Sequence, residues 1–338
     1  MRLREARETD GDALAALAAA SADTGAIRYF PRYHGNPVVA AAALEPGLRW
    51  VVAEEGGELL GAAQVSFGEC ELEGEVRRYA LLNSLGVHRD HRRRGIARAL
   101  TDWRLEQAGD AVVLANIQSG NEGSFANARR WATHFIGQLT TPPFGTAGRA
   151  PRSALELREA TDGDWPAAAA GLARFEAGWN LRVPETGASL EEWASVEVFG
   201  GRIRRYLVAV DGGEVVAGAG FVEASRVTTL QIEHLPPTIR VLNLALRVVP
   251  KDRVLRQIGM NRFWWAEGRE DAGRALFDHA RWALRDAGNA ILVALDLRGP
   301  VREVLPIKPW TPKAVGSVAV RSPVPVDEST LLAPLLGG

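Results

Sequence analysis

Apolar and polar positions fall in blocks along this chain, and the sharpest boundary lies beside residue 88. Tyr79 to Val87 is mostly apolar, short and flanked by charge, the pattern of a buried strand. His88 to Arg94 then carries six positive or potentially positive residues around Asp90. Beyond them Ile96, Leu100 and Trp103 share one helical face, with Ala97 and Ala99 beside them and Gly109 after the end. The order is strand, basic turn, small residue, helix.

The same pattern predicts the neighbouring elements. Leu3 to Ala6 starts a strand, and Thr9 or Asp10 can cap a helix that packs Leu14 and Leu17. Arg49 to Phe67 is a hairpin, two apolar strands around Glu55-Gly56-Gly57-Glu58. A charged turn is expected at Glu71 to Val76, and further strands at Ala111 to Ile117 and Phe135 to Thr140. Ala26 to Asn36 breaks the pattern: three aromatics, two arginines, His34, a proline and a glycine read as a mixed loop, either a core-covering connection or the wall of a binding site, with the wall preferred.

Pro142-Pro143 and a stretch of Gly, Ala and Pro up to Pro151 read as an interdomain linker, and after it the pattern begins again. Leu157-Arg158-Glu159-Ala160 repeats Leu3-Arg4-Glu5-Ala6, and Asp162-Gly163-Asp164 repeats Asp10-Gly11-Asp12. Arg205 to Gly220 repeats the hairpin with its Gly-Gly turn, and Gly273-Arg274-Ala275-Leu276 echoes Ala97-Arg98-Ala99-Leu100. Conserved order of elements implies an internal duplication, with domains at 1–145 and 152–338. A helix is expected at Thr238 to Val249, and the proline-rich tail from Pro300 to Pro325, with Trp310, is expected to fold back over the sheet.

Composition narrows the function. At 46% hydrophobic and 24% charged residues the 338-residue chain is that of a globular protein. A formal net charge of −1 leaves no global attraction for nucleic acid or anionic membrane, so any basic site must be local. One cysteine, Cys70, excludes an intramolecular disulfide and fits a reducing compartment. The start, MRLREARETD, is charged from its second residue, which predicts no signal peptide, and no apolar run reaches membrane-span length. A cytoplasmic monomer or homodimer is expected, with no nucleic-acid or membrane partner.

The basic turn is the candidate chemistry. A helix N-terminus offers free N–H groups and a favourable dipole to an anion. Gly95 and Ala97 let phosphate approach the backbone, and arginines add charge-assisted bonds. The competing reading is a solvated basic turn, but like charges repel unless an anion joins them. The turn lacks Gly-Lys-Ser/Thr and the three-glycine dinucleotide spacing. It resembles the acetyl-CoA motif of the GNAT family of N-acetyltransferases: Arg92-Arg93-Arg94-Gly95-Ile96-Ala97 after Leu85-Gly86-Val87.

That resemblance implies tandem α/β (α+β) domains, each a mixed, mostly antiparallel twisted sheet flanked by helices. It implies acetyl-CoA as co-substrate, no metal, and transfer of acetyl to the amine of a small-molecule acceptor by direct attack. The cofactor residues would be Leu85, Gly86, Val87, Arg92 to Arg94, Gly95, Ile96 and Ala97, completed by Asn121 and Asn127. Asn121 reads equally well as a helix cap. In the family a carboxylate on the central strand often draws off the amine proton, and a tyrosine on the last helix protonates the thiolate. Here Asn83 and Ser84 stand on the strand, and no tyrosine lies between Asn121 and Phe135. Tyr33, His34 and Asn83 are therefore the candidates beside the reaction centre, with Glu73, Glu75 and His88 as further titratable groups. The missing acid and base keep open a non-catalytic CoA-binding role. In the second copy Asp271 replaces Gly95 and Glu270 replaces Arg94, so a single CoA is expected, in the first copy.

Overall fold

The computed structural model describes residues 1–21, 28–45, 47–235, 237, 250–309, 311 and 313–334. The first half runs β1 (Arg2–Glu5), α1 (Gly11–Ala20), β2 (Arg28–Tyr33), α2 (Pro37–Leu44), β3 (Leu48–Glu55), β4 (Glu58–Leu72), β5 (Glu75–Val87), α3 (Ile96–Ala108), β6 (Val112–Gln118), α4 (Glu122–Ala128), β7 (His134–Thr141) and β8 (Pro143–Gly145). The second runs β9 (Glu156–Glu159), α5 (Trp165–Phe175), α6 (Gly187–Ala194), a ribbon of β10 (Glu197–Val198) and β11 (Gly201–Arg202), β12 (Arg204–Asp211), β13 (Glu214–Val222), β14 (Thr228–His234), β15 (Val254–Leu255), β16 (Gln257–Trp265), α7 (Glu270–Ala283), β17 (Ala290–Val293) and β18 (Ala314–Arg321). The helix expected over Thr238 to Val249 and Trp310 lie outside the described residues.

The duplication is visible in strand order. The first sheet is β1-β3-β4-β5-β6-β18-β7 and the second, from its matching edge, is β9-β12-β13-β16-β17-β8. Each is antiparallel except for one parallel pair, β5 with β6 and β16 with β17. Both hairpins turn on two glycines with positive φ, 61° and 87° at Gly56-Gly57 and 55° and 90° at Gly212-Gly213. That is the primed geometry two-residue hairpins require. The polar fittings repeat too. Arg4 donates to Asp10 at 2.6 Å and Arg158 to Asp164 at 2.5 Å, and each carboxylate also accepts a nearby backbone N–H, from Arg7 and Thr161. The bond from Arg158 holds the Asp164 carboxyl down at about 2.

The two halves exchange strands. The sixth strand of the first sheet is β18, from the C-terminal segment; the sixth strand of the second is β8, from the segment just after β7. The tail therefore does not fold over the sheet but enters it, between β6 and β7. Its β-branched Val318 and Val320 on one face and Ala319 on the other are all fully buried, as in a strand covered on both faces. Burying each valine contributes about 1.5–3 kcal/mol. Likewise the Pro142 to Pro151 stretch is not all linker, because Pro143–Gly145 pairs with β17.

Ala26 to Asn36 is also not all loop. Arg28–Tyr33 forms β2, which pairs with β14 of the second half, Tyr33 opposite Thr228 and Phe30 opposite Gln231. Tyr29, Pro31 and Tyr33 share one face by the two-residue period, and Pro31 is tolerated because β2 is the edge of its three-stranded sheet. The charged turn shrinks to Glu73-Gly74: β4 and β5 extend around it, and Glu71 bonds the second half through Arg182.

Candidate active site

Past Leu81 the first sheet opens. β5 pairs with β6 only through Tyr79, Ala80 and Leu81. On its other side the register slips: Gln64 faces Asn83 while Ala62 faces Gly86. The slip is a bulge at Ser84, whose φ is 46°. Bulge and splay leave a cleft between Leu82–Val87 and the end of β6.

The basic turn closes the far end of this cleft. Arg93 and Gly95 both adopt left-handed backbone, φ 67° and 78°, so the chain coils immediately before α3. Gly95 is the N-cap and supplies no side-chain bond. α2 and α4, by contrast, are capped by Asn36 and Asn121. The first-turn N–H groups of α3 are thus left for another acceptor. Beyond the adjoining residues, no described atom lies within 4 Å of where a Cβ on Gly95 would stand, so its left-handed φ, not crowding, demands glycine there.

A cavity of about 830 Å³ occupies the cleft. Of the expected cofactor residues it is lined by Leu85, Gly86, Val87, Arg92, Arg93, Gly95, Ile96, Ala97, Asn121 and Asn127. Arg94 stands apart. Its guanidinium lies on Glu55 at 2.7 Å and on His91 at 3.1 Å, because the Gly56-Gly57 hairpin brings Glu55 beside the turn. Asn121 caps α4 by accepting from Ser124 N and lines the cavity as well. Asn127 donates to Thr101 at 2.8 Å. Among the described lining residues are four arginines, Arg92, Arg93, Arg98 and Arg104, and no aspartate or glutamate.

A second cavity, about 650 Å³, lies between the halves and shares Tyr29, Pro31, Tyr33, Trp50, Asn83 and Ser84 with the first. Tyr33 and Asn83 therefore sit at the junction. His34 does not: just past the end of β2, it lines neither cavity, and its Nε2 bonds Thr229 Oγ1 at 3.1 Å. Burial pushes the Tyr33 hydroxyl up, so it stays protonated at neutral pH. Glu73 accepts from Asn180 and Asp327 N, Glu75 pairs with Arg77, and the His88 ring accepts from Asp90 N.

Three site residues were not singled out by the sequence. Arg104 is buried and donates to the carbonyls of Gln64 (3.1 Å) and Asn83 (3.2 Å), clamping both sides of the bulge. Burial lowers its pKa to about 10, still charged at neutral pH. The signal was available: Arg104 continues the buried Ile96-Leu100 stripe of α3, where a cation is out of place. Trp50 lines both cavities, and among the described residues its buried Nε1–H finds no acceptor. Glu45 lines the second cavity and accepts from Ser66 Oγ at 2.6 Å.

Residues 28–130 match the model of the Acetyltransferase (GNAT) family. This stretch is a GNAT-family domain. The chain resembles the crystal structure of Saccharomyces cerevisiae N-myristoyltransferase with bound myristoyl-CoA, with TM-score 0.65 and 11% identity over 95% of this chain and 79% of that one. It also resembles a GCN5-related N-acetyltransferase from Anabaena variabilis, with TM-score 0.52 and 12% identity over 95% and 72%. A probable N-acyltransferase from Enterococcus faecalis gives 0.52 and 8% over the same shares. No curated protein matches the sequence. At such identities the structural likeness is one of fold, tandem GNAT-like domains. Together with the family match it supports an acyl-CoA N-acyltransferase.

The second copy keeps the frame and fills the cleft. Its β13–β16 register slips at the equivalent place, with Gly220 opposite Asn261 and Arg262 at φ 51°. Arg262 fills the bulge, paired with Glu185 at 2.5 Å and stacked over Trp193 at 4.4 Å. Trp264, Tyr206, Trp165 and Trp193 pack the surrounding core. α7 starts at Glu270, extending through the position of Gly95, and Asp271 pairs with Arg269. Among the described residues no group of three or more His, Cys, Asp or Glu could hold a metal, and no helix is long and apolar enough to cross a membrane.

Proposed function

We propose that this protein is an N-acetyltransferase that moves an acetyl group from acetyl-CoA to the amine of a small-molecule acceptor, in the cytoplasm, using a site in its N-terminal lobe. The lobe spans 1–145, completed by β18, with 152–338 as the second lobe. The observation that carries this reading is the first cavity. It joins an uncapped helix N-terminus with Arg92, Arg93 and Arg98 at one end to an opened strand bulge, clamped by Arg104, at the other, and the GNAT match covers both.

In this reading the pyrophosphate rests on the first turn of α3 and the cavity arginines. The pantetheine runs along Leu82–Val87, where β5 has lost its β6 partner and offers backbone polar groups. The thioester lies at Asn83–Ser84. Trp50 Nε1–H, at the junction, donates to the carbonyl oxygen as negative charge develops on it. Tyr33, kept protonated by burial, gives a proton to the departing thiolate. The second lobe takes no donor, because Arg262 and the tryptophans occupy its cleft.

Titration with CoA, then release of free thiol from acetyl-CoA when amines are added, tests the proposal. A series of acyl-CoA donors from acetyl to myristoyl sets the chain length. Binding of CoA without thiol release from any donor and amine would favour a CoA-responsive binding protein. That reading draws on the absence of a carboxylate at Asn83–Ser84 and of a tyrosine on α4. No CoA binding at all would overturn both.

A further inference from the structure

The two cavities that meet at Asn83 and Ser84 have opposite electrostatic character. The first has four arginines and no acid among its described lining residues. The second has one carboxylate, Glu45, and no arginine, lysine or histidine among its own. The rest of its wall is mainly apolar: Pro31, Leu44, Val227, Leu230, Met260 and Leu292 contribute to it from both halves.

Glu45 is not placed there for the sake of its helix. It is the C-cap of α2, where the negative end of the macrodipole opposes a carboxylate by about 0.3–1 kcal/mol. It is held instead by Ser66 Oγ, from β4. Its charge is felt by Tyr79 of β5 and by Arg204 of β12. Neither lines the cavity, and Arg204 is turned onto the Leu44 carbonyl and the Trp193 ring.

We propose that this second cavity seats the acceptor, a primary monoamine on an uncharged apolar body, and that Glu45 is the group that takes its proton. The inference rests on the first cavity being the donor site. An incoming ammonium is attracted by the single carboxylate, and the apolar wall covers the body. A second charge on the acceptor, of either sign, would be buried without a partner, which opposes amino acids and polyamines alike. Glu45 removes one proton from R–NH3+. The free amine attacks the thioester carbon, the C–S bond breaks as the C–N bond forms, and the nitrogen loses its second proton as the thiolate gains one. The products are amide and CoA thiol, and Glu45 passes its proton to solvent.

The test uses the full chain with phenethylamine, phenylalanine, putrescine and a short peptide as acceptors, and Glu45→Gln as the variant. Donor affinity is read by CoA titration and folding by thermal melting. Expected are a kcat/KM for phenethylamine at least tenfold above each of the others and a loss of at least 100-fold in Glu45→Gln. The variant should also lose the acidic limb of the kcat/KM–pH profile while its CoA affinity and melting temperature are unchanged. Equal or better turnover of phenylalanine, putrescine or the peptide overturns the acceptor class. A Glu45→Gln enzyme with wild-type rate and pH profile overturns the role of Glu45. Both results leave the donor site standing. Absence of CoA binding in the wild type removes the donor reading, and this inference with it.

Discussion

Asn83 and Asn261 occupy equivalent places in the two sheets, each just before a left-handed residue that bulges its strand, Ser84 in one and Arg262 in the other. The bulge is common to both lobes, so it belongs to the ancestral fold. What differs is the side chain on it, small in the open cleft and long in the filled one. Ser84→Arg should therefore copy the second lobe's solution into the first. Serine already bears the φ of 46°, so arginine adds no new backbone strain of its own. Thiol release should fall at least 100-fold with the melting temperature within a few degrees of wild type. Full activity would mean that the junction at Ser84 lies away from the chemistry.

Arg94 and Arg92 separate the motif from the geometry. Arg94 belongs to the sequence motif but is occupied by Glu55, which it holds below the usual carboxylate range. Arg92 lines the first cavity. Arg92→Ala should weaken CoA by roughly tenfold or more, the scale of a lost bond to a charged group, and Arg94→Ala by less than about threefold. Calorimetric titration of the two variants checks this. The reverse order would show that Arg94 leaves Glu55 when the donor arrives.

Gly95→Asp tests which lobe holds the donor. The substitution places a side chain at a φ of 78° and a carboxylate at the mouth of α3, reproducing Asp271 of the second copy. Wild type should bind one CoA per chain and the variant none detectable at tenfold higher ligand. A full equivalent bound by the variant would move the donor to the other lobe.

Trp50→Phe removes the Nε1–H that finds no acceptor among the described residues and keeps most of the ring volume. If that group stabilises the transition state, kcat should fall about 10- to 100-fold with CoA affinity unchanged. A change confined to KM would assign Trp50 to acceptor packing.

Glu176 should make stability fall with pH near neutrality. It is buried at the end of α5, and burial pushes its carboxyl from its ordinary 4.5 up to about 7. Between those values the native state holds a proton that the unfolded chain has lost, so stability falls as pH rises through this window and stays low above it. Glu176→Gln should flatten that fall, by on the order of 3 kcal/mol at pH 8, measured by denaturant unfolding at pH 5 and pH 8. An unchanged slope would place the titration elsewhere.

Much of this architecture was legible because local pattern and tertiary role agreed. The Gly-Gly hairpins, the apolar strand to Val87 and the helix from Ile96 each carry their signal within a few residues. The duplication was legible because Arg4 and Arg158 recur with their partners. The expectations that changed depend on distant segments. β2 is a strand because β14 lies beside it, some two hundred residues away. β18 looked like a proline-rich tail until β6 and β7 took it in. At the site, Gly95 and the turn were readable from spacing. Glu45, Trp50 and Arg104 were not singled out, because a lone carboxylate, an aromatic in a strand or an arginine in a helix acquires meaning only from what faces it.

The reciprocal strand exchange governs when the protein becomes complete. Asn116 of β6 is joined by Val318, so during synthesis that edge waits for roughly 200 further residues, on the order of 10–40 s at 5–20 residues per second. The second sheet has no such delay at its β8 edge, since Pro143–Gly145 is made before the strand it meets. The lobe read as silent can thus close first and serve as the template on which the other is finished. The first sheet, begun early in the chain, is completed only when β18 joins β6 to β7, so a prematurely terminated chain carries the basic turn without the finished sheet behind it.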